Sequence, residues 1–179
     1  MMKSAVQMPN DISGISFSQK KLVKVISGGQ TGVDQAGLFA AISCGLETGG
    51  QAPENYLTSA GNFPMLELFG LTAIGNYYER TGANVKNSDG TIIIAEDLTS
   101  AGSSTTRRFC ARINKPCLEI ELPNLTFTAA HVIEICEFIT TKEISILNVA
   151  GNRERYKNNA VFSCAKKLLT EVFTTLKQL

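Results

Sequence analysis

The feature that most constrains this chain is a repeated pairing of short, wholly apolar runs with segments of helical period. "LVKVIS" (Leu22–Ser27), "TIIIA" after Gly90, "CLEIEL" and "EISILNVAG" are runs of this kind. They are rich in β-branched residues and show no polar face, as expected of strands buried on both sides. Helical patterns follow at Val33–Cys44, from about Ser103 to the Lys115-Pro116 stop, over "TAAHVIEICEFITTK", and from about Asn158 to Leu176. In the first of these Ala36, Phe39, Ala40 and Ser43 form one stripe, and Gly45 fits a left-handed end cap. Strands alternating with helices predict an α/β fold with a mainly parallel sheet covered on both faces. Right-handed crossovers then bring every strand's C-terminal end to one edge, where ligands bind in such sheets.

The chain of 179 residues has the length of one domain. Residues 1–19 show neither period and read as an arm that is loosely held or docked on a partner chain. Residues 20–179 read as one ligand-binding domain. "ETGGQAPENYLTSAGNFPMLELFG" reads as a long loop with one helical turn, a type of segment more often functional than idle. The segment from Arg80 through Thr81, Asn84 and Ser88 is polar without being charged, which suits a pocket lining.

With 17 basic and 16 acidic residues, nothing argues for a nucleic-acid partner. No apolar run approaches a membrane span. Five cysteines without a CxxC pair, and no secretory segment, point to a reducing, cytoplasmic setting. A single histidine, His131, excludes a His-rich zinc site, and no metal ligands are expected of the protein. The cysteines Cys44, Cys117, Cys136 and Cys164 fit core patterns, and Cys110 follows the second loop described next.

Three loops fall at the expected binding edge. "GGQTGVDQ" has the physics of an anion cradle: Gly28, Gly29 and Gly32 permit unusual backbone, Gln30 and Thr31 bring polar side chains, and consecutive N–H groups can form a nest. The helix behind it adds its positive end. Asp34 has two open roles there: to cap the helix, or to accept hydrogen bonds from a ribose, a pterin or a partner chain. The spacing matches neither the dinucleotide fingerprint nor a P-loop. The second loop, "EDLTSAGSSTTRR", sets Gly102, Ser103, Ser104, Thr105 and Thr106 at a helix N-terminus, with Arg107 or Arg108 able to turn toward an anion. The third, "NVAGNRER", offers Gly151 and Arg153, the latter suited to clamp a phosphate. Arg80 and Asp89 stand upstream of the second loop; Asp89-Gly90 also reads as a plain turn.

"ISGGQTGVDQAGL", "YYERTGANVKNSDGTIII", "AGSSTT" and "ILNVAGNRE", in this order, resemble the molybdenum-cofactor carrier family. That family belongs to a Rossmann-like superfamily with the cytokinin-activating phosphoribohydrolases and DNA-processing protein A. The resemblance covers about Lys20 to the C-terminus. It implies a Rossmann-like three-layer sandwich, a homo-oligomer (dimer or tetramer), and molybdenum cofactor, a phosphorylated pterin, as bound cargo. Carried over, the binding residues are Gly28, Gly29, Gln30, Thr31, Gly32, Arg80, Asn84 and Gly102 to Thr106. Ala101-Gly102-Ser103 departs from the Gly-Gly-Thr turn of many members. The phosphoribohydrolases place a catalytic glutamate where this chain has Arg107 and Arg108, and an arginine cannot act as a general base. A carrier is therefore the first expectation, with no catalytic residues, and a nucleotide-processing hydrolase is the alternative. Glu79, Asp89 and Glu96 remain as its possible carboxylates.

Overall fold

The computed structural model describes residues 20–178, so the N-terminal arm expected over residues 1–19 lies outside the described residues. Six strands form one parallel sheet: β1 (Lys24–Ser27), β2 (Glu47–Ala52), β5 (Leu71–Ala73), β6 (Gly90–Ala95), β7 (Cys117–Glu121) and β8 (Ile146–Gly151). Their order across the sheet is β5-β2-β1-β8-β6-β7. A small antiparallel hairpin, β3 (Leu57–Thr58) with β4 (Gly61–Asn62), stands apart from it. The helices are α1 (Val33–Ser43), α2 (Tyr77–Asn87), α3 (Ala101–Arg112), α4 (Ala129–Thr141) and α5 (Ala160–Leu176).

The order of strands follows from handedness. From β1 the chain winds outward to β2 and β5, crosses back to β6, steps out to β7, and returns to insert β8 between β1 and β6. Right-handed crossovers in opposite directions must lie on opposite faces. Accordingly α1, α4 and α5 pack together on one face and α2 and α3 on the other. This is the three-layer α/β sandwich expected from the alternation.

The larger core lies under α1, α4 and α5. Val25, Ile92, Ile94, Leu147 and Val149 of the sheet meet Val33, Ala36, Ala40, Ile135, Ile139, Leu168, Val172 and Phe173. A smaller cluster, Val85, Phe109 and Cys110, joins α2 to α3. Cys44, Cys110 and Cys136 are buried, and Cys117 and Cys164 partly so. Cys110 thus faces the core between the two helices.

Three expectations need correction. The stretch 47–70 holds β2, the hairpin and a 3-10 turn (Pro64–Phe69) rather than one long loop. Glycines in β2 disguise it: Gly50 lies where a side chain would strike the backbone of Ser27 on β1. Where the polar stretch from Arg80 to Ser88 is expected only to line a pocket, residues 77–87 form a helix. It is held by a capping box in which Asn76 accepts from the Tyr78 and Glu79 N–H groups and Glu79 accepts from the Asn76 N–H. In α1 Ser43 is exposed, whereas Leu38 is buried against Ala52, Leu66, Phe69 and Leu71. This helix is covered on two sides, so no single stripe describes it.

Candidate functional site

The site is built from loops that leave the C-terminal ends of the parallel strands. Gln30 follows β1, Ser59 sits in the hairpin after β2, and Tyr77, Tyr78, Arg80 and Thr81 belong to the first turns of α2 after β5. Ser100 caps α3, which Ala101, Gly102 and Thr105 begin after β6; Gly151 ends β8, and Asn152, Arg153 and Arg155 follow it. Together they line a groove of about 780 Å³, within the range of small-ligand sites. It lies over β1, β8 and β6, where the winding of the sheet reverses, the usual ligand position in open α/β sheets.

Of the glycine loop after β1, Gln30 lines this groove, and three of the loop's N–H groups are already taken. Gly29 N donates to Ser27 Oγ (3.2 Å), Gln30 N to Asp34 Oδ2 (3.3 Å) and Thr31 N to Gln30 Oε1 (2.9 Å). These three N–H groups of the expected anion nest are therefore engaged from within. Gly32 has φ 84° and lies against the backbone of Asn152 and Glu154, so its glycine serves chain packing. Gln30 is a hub: its Oε1 also accepts from Ser59 N (2.8 Å), and its Nε2 donates to Tyr77 Oη (3.4 Å). Thr31 Oγ1 and Ser59 Oγ are 2.7 Å apart. These bonds fasten the hairpin to the first loop.

Of its two expected roles, Asp34 does not take the cap. Gly32 is the residue before α1, and no side chain caps the helix. Asp34 Oδ2 instead pairs with Arg80 Nη1 at 3.1 Å, and its backbone carbonyl accepts from Ser27 Oγ (3.0 Å). Burial pushes the Asp34 carboxyl above its ordinary value, while Arg80 and the Gln30 N–H pull it back. Arg80 itself reaches the groove wall, with its guanidinium 5.9 Å from the centre of the Tyr77 ring.

At α3 the hydroxyls mostly serve the helix. Ser100 is the N-cap, its Oγ accepting from Ser103 N (3.3 Å). Ser103 is buried, and Thr105 and Thr106 donate to the carbonyls four residues back. Ser104 lends its carbonyl to Arg108 Nε (3.3 Å). Of Gly102 to Thr106, only Gly102 and Thr105 line the groove. Gly102 faces open space, so the positive end of a twelve-residue helix opens there. Neither Arg107 nor Arg108 joins it: Arg107 forms a two-pronged bond to Glu119, which holds the Glu119 carboxyl below its ordinary range.

Two further candidates lie elsewhere. Asn84 is buried and pairs with the backbone of Gln51, accepting from its N–H (2.8 Å) and donating to its carbonyl (2.9 Å). Asp89 sits at the start of β6, the opposite edge of the sheet. Its Oδ2 accepts from Ser145 N (3.0 Å) and Ile146 N (2.9 Å) and fixes the entry to β8. His131 caps α4 by accepting from Thr128 N (3.0 Å).

Sequence reading did not single out Ser59, Tyr77, Tyr78, Ser100 or Arg155. Arg155 was legible in "NRER"; the tyrosines were hidden by the unrecognised start of α2. The groove so assembled carries Arg80, Arg153 and Arg155, and no carboxylate among its described lining residues. The carboxylates nearby are engaged. Glu79 is in the α2 cap, Glu96 accepts from Tyr156 Oη (2.9 Å), and Glu154 accepts from the N–H groups of Arg155, Tyr156 and Phe162.

Comparison with known proteins agrees with this architecture. No curated protein matches the chain. A crystal structure of a putative molybdenum carrier protein from Syntrophus aciditrophicus SB is 34% identical, with a TM-score of 0.72, over 86% of this chain and 96% of that one. Among the described residues, no helix is long and apolar enough to cross a membrane. The profile of the circularly permutated YpsA SLOG family matches residues 25–173, from the first strand to the last helix, and the chain belongs to that family.

Proposed function

We propose that this protein is a carrier that holds an anionic, phosphorylated ligand in the arginine-lined groove, with molybdenum cofactor as its cargo. The observation that carries the reading is the charge of the groove: one arginine from α2 and two from the loop after β8, a helix N-terminus, and no carboxylate among the described lining residues. Such a set suits phosphate oxygens, which guanidinium groups grip in pairs. A volume of about 780 Å³ suits a phosphorylated bicyclic or tricyclic ring better than a bare oxyanion. The neighbour's name favours a molybdenum-bearing cargo. Metal would arrive inside the cofactor, so the protein supplies anion contacts and ring contacts, the latter from Tyr77 and Tyr78.

The engaged state of Glu79, Glu96 and Glu154 favours binding over hydrolysis of a glycosidic bond, which calls for a carboxylate at the reacting carbon. The test is gentle purification under anaerobic conditions, followed by elemental analysis and pterin fluorescence. Molybdenum and pterin should co-purify in equal amounts, and both should fall in an Arg153→Gln Arg155→Gln variant. Protein free of both, and unable to take up added cofactor, would sink the carrier reading.

A further inference from the structure

We propose that Asp34 is a positioning residue whose task is to present the Arg80 guanidinium to the ligand in one fixed orientation. The inference rests on the groove being an anion site. Asp34 and Arg80 belong to different helices, α1 and α2, and meet across the end of β1. Their side chains are 4% and 13% exposed. Arg153 and Arg155, the other two groove arginines, are exposed. The three therefore differ in kind. An exposed arginine must give up rotamer freedom to grip a ligand, whereas one already held has given it up on folding.

Two contacts fix Arg80. Nη1 donates to Asp34 Oδ2 at 3.1 Å. The guanidinium lies directly on Gly28, where a Cβ would overlap Nη1, Cζ and Nε. Nε is fully buried and is the one buried side-chain nitrogen or oxygen without a partner among the described residues. With Nη1 engaged and Nε enclosed, Nη2 is the end left to reach the groove that Arg80 lines. Gly28 is thus explained by the flat group stacked on it, and Asp34 by the group it aims.

A buried ion pair is a poor device for stability, because desolvating two charges offsets most of their attraction. Here one donor is left unmatched besides. An arrangement that the fold gains little from, at the wall of a ligand groove, is what preorganisation requires. Asp34 is backed in turn by the Gln30 N–H at 3.3 Å, so the glycine loop holds the carboxylate and the carboxylate holds the arginine.

The experiment uses inorganic pyrophosphate as probe, with calorimetric titration of wild type, Asp34→Asn, Arg80→Gln and the double variant. Arg80→Gln should weaken binding about tenfold to a hundredfold, the worth of a charged hydrogen bond. Asp34→Asn keeps every positive charge of the groove yet should weaken binding about tenfold, and should add nothing in the Arg80→Gln background. Should Asp34→Asn fail to fold, Gly28→Ala displaces the same guanidinium without touching the carboxylate and should weaken binding to a similar degree. A sharp, slowly exchanging Arg80 Nε–H resonance is expected in wild type, and its loss in Asp34→Asn or Gly28→Ala. The proposal is overturned if Asp34→Asn and Gly28→Ala bind pyrophosphate like wild type, if the losses at Asp34 and Arg80 add, or if wild type does not bind pyrophosphate. Protein that lacks molybdenum and pterin and takes up no added cofactor, but shows this coupling, would refute the carrier reading and leave the role of Asp34 standing.

Discussion

Asn84 carries an amide whose two ends match those of a peptide group, and it uses both on the backbone of Gln51. It serves β2 as a stand-in for a backbone partner, from a helix packed on the sheet. Removing it strips a donor and an acceptor from a site where water has little access, since Asn84 is 1% exposed. Each unmet group of that kind costs about 1–3 kcal/mol. Asn84→Ala should therefore lower the free energy of unfolding by about 2–4 kcal/mol, read from urea denaturation. A loss under about 0.5 kcal/mol would mean the two bonds contribute nothing net. Before the fold is known, Asn84, Asp89 and Arg80 are alike: polar residues flanking an apolar strand. What separates them is which end of β6 they reach. Asp89 precedes that strand and so falls at the far edge, on Ser145 and Ile146. Arg80 lies one helix earlier, at the start of α2, and reaches the groove. Direction along a parallel strand decides the matter, and it was available from the alternation of elements. The Asp34–Arg80 pair was not, because it joins two helices 46 residues apart in sequence.

At the scale of elements, legibility tracked apolar content. β6 and α5 are dense in apolar residues and were readable, whereas α2 buries little besides Asn84 and Val85 and shows no apolar stripe. The signal it does carry is the capping pattern of Asn76 followed three residues later by Glu79. The junction of α3 with β7 depends on charge instead. Arg107, on α3, binds Glu119 on β7 with both prongs and the Leu98 carbonyl as well (3.3 Å). Hydrogen bonds from Arg107 lower the Glu119 pKa from its ordinary 4.5. A carboxyl that is more acidic in the folded state than in the unfolded one adds stability above the unfolded value. That contribution is lost as pH falls through the folded-state value. Wild type should thus lose stability more steeply below about pH 4.5 than Glu119→Gln, with the gap between the two largest near neutrality and closing in acid. Thermal unfolding across that range checks it, and parallel curves would show that the pair does not couple to folding. The pair is partly exposed, at 40% for Arg107 and 29% for Glu119, so salt should shrink the gap.

The molecule as a whole places its last strand, β8, at the centre of the sheet, between β1 and β6. Chain order alone could not reveal this, since an apolar strand reads the same at the centre as beside the centre. The consequence is that the groove draws on loops after β1, β2, β5, β6 and β8, and no element contributes the site alone. A ligand seated there ties together parts of the chain that meet only in the folded state. Binding must then stabilise the native state, by about 2.7 kcal/mol at a ligand concentration one hundred times its dissociation constant. For a chain of this size that is a rise in Tm of about 5–10 °C. Pyrophosphate at such a concentration should give this rise, and sodium chloride at equal ionic strength should not. Arg153 is exposed and has no hydrogen-bond partner among the described residues, so Arg153→Gln should leave the unliganded Tm unchanged. The same variant should cut the pyrophosphate shift, because one of three groove charges is gone. An undiminished shift in Arg153→Gln would place the anion outside the groove, and a shift equally produced by chloride would reduce the effect to screening of charge across the surface.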